Sequence, residues 1–200
     1  ADAYLVALAD GRVFMLESAD AERIPLATID GTRSVCELGF DGSSACLVAN
    51  DIDLIHQTLH RGRAIQAADT LGAAQYMLDQ AVDYSLERKQ FNRAIGSFQA
   101  VKHMCAEMAS QLEPCRSFVW YAGHAFDESN SDAALTACHA KAHLAEVGQF
   151  VAKTSTEVHG GMGFTDLVGL HYWFKRIGFN RQLLGSPEQA RHEAAILEGL

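Results

Sequence analysis

The sequence predicts an α+β chain, mainly α: a partial antiparallel β domain over residues 1–51, then an antiparallel four-helix bundle over 52–200. Three observations predict it. Short apolar runs parted by Asp-Gly and Gly-Thr turns fill the first fifty residues. Near residue 52 the hydrophobic period lengthens from two to about 3.6. Long helical stretches with brief polar breaks then follow, the pattern of a bundle.

The opening "ADAYLVALADGRVFMLES" enters a strand pattern at once, with apolar runs at 4–8 and 13–16 joined by "ADG", a hairpin signal. "ERIPLATID" is a further strand candidate. "TRSVCELGF" alternates strictly, Val35 and Glu37 against Cys36, Leu38 and Phe40, and "SACLVAN" completes the set. These strands make an antiparallel sheet or a barrel fragment, too few to close a barrel. Without an initial Met, the chain reads as the back half of a longer protein, or as a proteolysed or deliberately cut piece.

From residue 52, Ile65, Ala68, Leu71, Ala74, Leu78 and Val82 fall three and four apart, one face of a long helix. The pattern breaks in "FNRAIGS". Ser97 is then placed to cap a second helix, with Phe98, Val101, Cys105, Met108 and Leu112 on one stripe. Pro114 should kink that helix or end a segment of it. "DESNSD" is a polar turn with Ser131 or Asp132 as N-cap. A third helix turns Leu135, Cys138, Ala142, Ala145 and Ala152 inward and ends at a cluster of glycines. A last short helix starts at "SPEQ", where Ser186 caps, Pro187 takes the first turn and Glu188 suits the dipole.

Composition bounds the function. Hydrophobic residues are 48% and charged residues 20% of the chain, a globular balance. Sixteen basic against twenty-five acidic residues give a net charge of −9; with no Lys/Arg cluster, this argues against a nucleic-acid groove. No apolar run is long enough for a bilayer, and no charged-then-apolar leader opens the chain. Five widely spaced cysteines without a CxxC read as small buried hydrophobes in a reducing compartment, so a cytoplasmic protein is expected.

His56/His60 and His139/His143 have a metal-binding spacing, but neither pair has a third ligand at a suggestive distance. Both read as structural or exposed histidines, and no metal is expected. No GxSxG, P-loop or dinucleotide fingerprint is present. "SLERKQFNR" carries Glu87, Arg88, Lys89 and Arg93 at a helix end, where cations complement the dipole. Arg88 with Phe91 three residues on would equally make an anion clamp beside an apolar wedge. "STEVHGGMGFTD" places Gly160, Gly161 and Gly163 within four positions. That is either a helix cap and turn, or bare main chain for a ligand or second chain to approach.

Together "YSLERKQFNRAIGSFQAVKHMCAEMA" and "EVHGGMGFTD" resemble the C-terminal helical domain of the acyl-CoA dehydrogenases. The family pattern R-x-x-F-G-x-x-I-x-x-x-Q stands here as Arg88, Phe91, Asn92, Ile95 and Gln99, and its G-G-x-G as Gly160, Gly161 and Gly163. The β half is similar to the family's middle domain from part-way through, so the resemblance covers essentially the whole chain. It implies FAD as cofactor, its diphosphate and adenosine end commonly bound across a subunit boundary. It also implies Arg88, Phe91, Gln99, His159, Gly160, Gly161 and Ser186 as candidate contacts, an acyl-CoA substrate, and a homo- or hetero-oligomer. Two positions depart from the family: Asn92 replaces the glycine after the Phe, and Glu157 brings a negative charge near a negative cofactor.

Family members remove the α-proton of an acyl-CoA thioester with a glutamate while the β-hydride passes to the flavin. In most of them that base immediately precedes a Gly-Thr/Ser pair. Here the pair is Gly185-Ser186, preceded by Leu184, which cannot accept a proton. Others carry the base on the first long helix, near Gly62, and no Asp or Glu lies between Leu54 and Ala68. Asp69 and Glu188 are the nearest carboxylates along the chain. No catalytic residue is therefore assigned. The resemblance is nearest to base-lacking subunits of heteromeric actinobacterial steroid side-chain dehydrogenases, whose partner supplies the base. A flavin monooxygenase on the same scaffold and a non-catalytic helical assembly subunit are the alternatives.

Overall fold

The computed structural model describes residues 2–41, 44–128 and 131–200, and the chain divides into two compact units, residues 1–59 and 60–200.

In the first unit the strands are β1 (Ala3–Ala7), β2 (Arg12–Glu17), β3 (Glu22–Leu26), β4 (Val35–Gly39) and β5 (Ala45–Asn50). β1, β2 and β5 form an antiparallel sheet in that order, while β3 and β4 pair separately. The β1–β2 turn closes through Gly11 at φ 95, a left-handed conformation that glycine adopts without strain. The strand faces are largely open. Cys36 and Cys46 are exposed, which corrects the expectation that all five cysteines are buried; Cys115 and Cys138 are buried and Cys105 is half-buried.

α1 (Ile52–Glu87) leads to a two-stranded hairpin, β6 (Lys89–Gln90) and β7 (Arg93–Ala94). There follow α2 (Gln99–Asp127), α3 (Ala133–His159), a tight 3-10 turn (Gly160–Phe164), α4 (Leu170–Gln182) and α5 (Pro187–Leu197). Side-chain pairings give the directions. Cys138 lies near His60, Gly148 packs on Thr70 and Ser155 bonds Met77, so α1 and α3 run parallel. α2 returns between them, with Arg116 on Gln75 and Phe118 on His143. α4 runs against α1, with Trp173 on Tyr76, Arg176 on Asp69 and Asn180 on Thr70. The core is centred on Met77, Met108, Leu112, Leu144, Val151, Leu170 and Ile177.

α3 is the axis of the unit. It is buried on all sides except one stripe of His139, His143, Glu146, Lys153 and Glu157, three to seven residues apart. Its predicted inward residues Cys138, Ala142, Ala145 and Ala152 are buried and Leu135 is half-buried. Asp132 stands at its N-cap position without a side-chain cap bond, and part of "DESNSD" lies outside the described residues.

Four expectations are corrected. On α1 the buried face holds Leu71, Ala74 and Leu78 as predicted, but Ile65, Ala68 and Val82 are exposed. Arg63, Gln66, Ala67, Thr70, Met77 and Ala81 take their place, because polar residues with partners are buried here beside alanines. Ser97 does not cap α2. Its hydroxyl bonds Ala94 O (2.7 Å), and the helix starts two residues later without a side-chain cap. Pro114 does not end α2, which runs through it as one helix with the proline on the exposed face. Finally, α4 was not anticipated. It begins after Gly169 (φ 67), and its wholly buried positions, Leu170, Ile177 and Asn180, include a polar residue that masks the apolar stripe. The SPEQ helix, α5, is as predicted: Ser186 and Gln189 form a reciprocal capping box with Pro187 in the first turn.

Candidate functional site

At one end of the bundle the last turns of α1 and α3 are fastened together. Tyr84 stacks on His159 (4.6 Å between centroids, 25° between planes), and the Ser155 hydroxyl donates to Met77 O at 2.7 Å. Arg88 follows directly: its N–H donates to Tyr84 O (2.9 Å) and its carbonyl accepts from Ile95 N (2.8 Å). Gly96 is pressed so close that a Cβ there would stand 2.9 Å from Ser85 Oγ. The arginine motif and the glycine turn therefore share one end of the molecule.

The β6–β7 hairpin turns on Phe91 and Asn92 at φ 52 and 62, both left-handed. Two successive positive φ angles give the twist a two-residue hairpin requires. Asparagine tolerates that region best among L residues, which accounts for Asn92 standing where a glycine is usual. Phe91 carries a bulky side chain there and is 87% exposed, its ring meeting Phe98 edge-on at 6.1 Å. The Arg93 guanidinium lies over the other aromatic, 3.8 Å from the Phe98 centroid. Gln99 opens α2, whose N-terminal amide groups have no side-chain cap and point the positive end of the helix outward.

The three glycines have different reasons. A Cβ at Gly163 would meet Thr156 O at 2.9 Å and His159 Cβ at 3.1 Å, so the chain's own packing excludes one. At Gly160 (φ 58) and Gly161 a Cβ would meet nothing within 4 Å. Their main chain is open to approach. His159 lies beneath, 3% exposed, with Nδ1 2.8 Å from Ser155 O. A carbonyl only accepts, so Nδ1 carries the proton and is committed to Ser155. Ser186 is committed as well, its hydroxyl accepting from Gln189 N in the capping box. Glu157 is exposed.

A second locus lies between α4 and α5. Leu184 and Gly185 have φ 59 and 106, and Leu184 Cδ1 stands 2.6 Å from where a Cβ of Gly62 would be. Residue 184 from the loop and residue 62 from α1 thus face the same point, and neither can accept a proton. The loop is held by buried cations. Arg63 Nε donates to Leu184 O (2.9 Å), while Lys141 Nζ donates to Leu183 O (2.8 Å), Gln66 Oε1 (2.9 Å) and Asn180 O. Burial, reinforced by the positive charges of Arg63 and Arg181, pushes Lys141 down to about 8.

Arg63 also anchors a cluster that sequence spacing did not reveal. Ligand atoms of His60, Cys138 and Glu193 lie within 4.8 Å of one another, a grouping able to hold a metal. The Arg63 Nη1 already stands among them, 2.6 Å from Glu193 Oε2, 3.3 Å from Cys138 Sγ and 3.4 Å from His60 Nδ1. A fixed guanidinium thus supplies the positive charge there. Burial pushes the Cys138 thiol up, which keeps it protonated. The remaining members of the two histidine pairs, His56, His139 and His143, are exposed, His143 against Phe118.

Of the two carboxylates nearest residues 62 and 184 along the chain, Asp69 takes a two-pronged bond from Arg176 (2.7 and 3.0 Å) and one from Asn180 Nδ2 (2.6 Å), tying α1 to α4. Glu188 is exposed in the first turn of α5, 3.3 Å from Arg181. Its own backbone N–H and the Ser186 hydroxyl hold its carboxyl below the usual range, the wrong direction for a base. Among the described residues no helix is long and apolar enough to cross a membrane.

Comparison with known proteins places this arrangement. Residues 52–195 match the family described as acyl-CoA dehydrogenase, C-terminal domain. Acyl-CoA dehydrogenase IpdE2 of Mycobacterium tuberculosis is 32% identical over 176 residues, 87% of this chain and 52% of that protein. Butyryl-CoA dehydrogenase from Megasphaera elsdenii superposes with a TM-score of 0.94 at 23% identity, over 100% of this chain and 57% of that one. The ChsE4-ChsE5 complex from Mycobacterium tuberculosis gives 0.88 at 27% identity, over 100% and 56%. The chain spans about half the length of these relatives (52–57%). It belongs to the acyl-CoA dehydrogenase family, whose C-terminal domain it contains.

Proposed function

We propose that this chain is the C-terminal part, with residues 1–51 belonging to the middle β domain, of a flavin-dependent subunit in α,β-desaturation of an acyl-CoA thioester, and that a partner subunit supplies the catalytic base. The observation that carries this reading is the contact of Leu184 with Gly62: the two places where family members keep the base converge, and a leucine tip fills the space between. Asp69 and Glu188 are committed elsewhere. Relatives that are complexes by name, among them ChsE4-ChsE5, fit a hetero-oligomer.

The fit to FAD is good at one end of the bundle. Arg88 can donate two parallel hydrogen bonds to a pyrophosphate. The open main chain of Gly160 and Gly161 lets amide groups come within bonding distance, and the uncapped start of α2 favours the same negative charge. Phe91 offers an exposed apolar face beside them. His159 supports the glycine turn by stacking on Tyr84, and Ser186 fixes the start of α5. FAD, when bound, accepts the hydride. The chain's own residues bind and orient, and Leu184 leaves the proton to another chain.

The test is Leu184→Glu in the full-length protein reconstituted alone with FAD. Desaturase turnover should appear where the parent has none; flavin bound normally with no gain would refute the placement of residue 184. Arg88→Ala should weaken flavin retention by roughly 10- to 100-fold, the worth of a charged hydrogen-bonded contact, without unfolding the chain. A protein that stays equally yellow would remove Arg88 from the site.

A further inference from the structure

The burial of Lys141 is explained by neither the fold nor the cofactor reading. The residue is 3% exposed in the middle of α3, and all three donors of its ammonium go to neutral acceptors: Gln66 Oε1 on α1, and the carbonyls of Asn180 and Leu183. A buried charge facing only neutral partners is costly to keep. Those two carbonyls belong to the last turn of α4 and to its C-cap residue, where carbonyls have no partner within the helix. The following residue, Leu184, is a leucine at φ 59, a conformation that costs free energy unless its neighbours hold it.

We propose that Lys141 is a positioning residue: reaching across from α3, it caps α4 and so fixes residue 184 in the left-handed turn that aims its side chain at Gly62. Because the clamp acts on main-chain carbonyls, it holds whatever side chain stands at 184. That residue 184 is a base position rests on the functional reading above; the clamp itself does not. Arg63 steadies the same loop through Leu184 O.

The charges facing Lys141 are Arg63 from α1 and Arg181 from α4, while Glu193 of α5 contacts Arg63 and Asp69 of α1 contacts Asn180. With its proton affinity lowered to about 8, Lys141 becomes a neutral amine above that pH and keeps two donors for three acceptors. Residues 183–185 should then loosen locally.

Backbone hydrogen exchange on the full chain tests this. In Lys141→Met the amides of Leu183 and Gly185, which bond Phe179 O and Gln182 O, should lose protection roughly tenfold, the worth of about one hydrogen bond, while Val151 in the core keeps its own. Corrected for intrinsic rates, the parent should show the same local loss as pH rises through about 8, and the folded Lys141→Met variant should show no such step. Retained protection in the variant overturns the proposal. Should that variant fail to fold, an unchanged protection of these two amides across the pH series in the parent overturns it equally. Intact clamping with no turnover from Leu184→Glu would count against the functional reading alone. Turnover with unprotected loop amides would count against the clamp alone.

Discussion

Phe91 is a phenylalanine in a backbone region that bulky residues avoid, and its ring is almost fully exposed. Relieving the left-handed strain is worth about 1 kcal/mol, nearly offset by loss of the edge contact with Phe98. Phe91→Gly should therefore leave the melting temperature unchanged or slightly higher while weakening flavin retention. A lower melting temperature with unaltered flavin would make Phe91 structural. The glycine cluster separates in the same way. Gly161→Ala should change stability by less than about 0.5 kcal/mol, with its cost in flavin affinity, since its Cβ meets open space. Gly163→Ala should cost about 2 kcal/mol in denaturant unfolding, because its Cβ would meet Thr156 O. The sequence displayed three glycines and two explanations; which glycine serves which was decided by atoms from α3 lying over one of them. Asn92 was legible only as a departure, and its φ accounts for it.

At the scale of elements, α3 is packed on three sides through small residues. Gly148 faces Thr70 Cγ2 at 2.6 Å and Ile177 Cγ2 at 3.3 Å from a would-be Cβ, both on stiff branched side chains. Gly148→Ala should lose about 1–2 kcal/mol despite alanine's better helix propensity, measured by the denaturant midpoint at constant m-value. Asp69→Ala should cost a similar amount by freeing Arg176 and Asn180 between α1 and α4. Any desaturase turnover gained by Leu184→Glu should survive that change. Element existence was largely readable: strand alternation, the long apolar stripes of α2 and the Ser-Pro start of α5 are local signals. α1's true face was not, because Arg63, Gln66 and Thr70 are buried against partners more than seventy residues away. α4 hid for the same reason: Asn180, a polar residue on its buried side, is satisfied by Asp69 and Thr70.

For the whole molecule, the buried Lys141 sets a pH signature opposite to its local one. Its ordinary value of 10.5 applies in the unfolded chain and about 8 in the fold, so between those values the unfolded chain binds more protons. Global stability should rise from about pH 8 toward 10.5 even as the loop loosens. Lys141→Met should lack that rising limb in pH-dependent denaturant unfolding; an identical limb in both proteins would assign it to other groups.

By itself the sequence determined the family, the order of β1–β5 and of α1, α2, α3 and α5, the two motifs and the lack of a proton acceptor at residues 62 and 184, since all of these are carried by local residue type and spacing. Only the tertiary structure decided that those two positions face one point, that a guanidinium fills the His60–Cys138–Glu193 grouping, and that an ammonium from α3 caps α4. Burial of a charge depends on acceptors brought from distant segments, and no local pattern records where those segments meet.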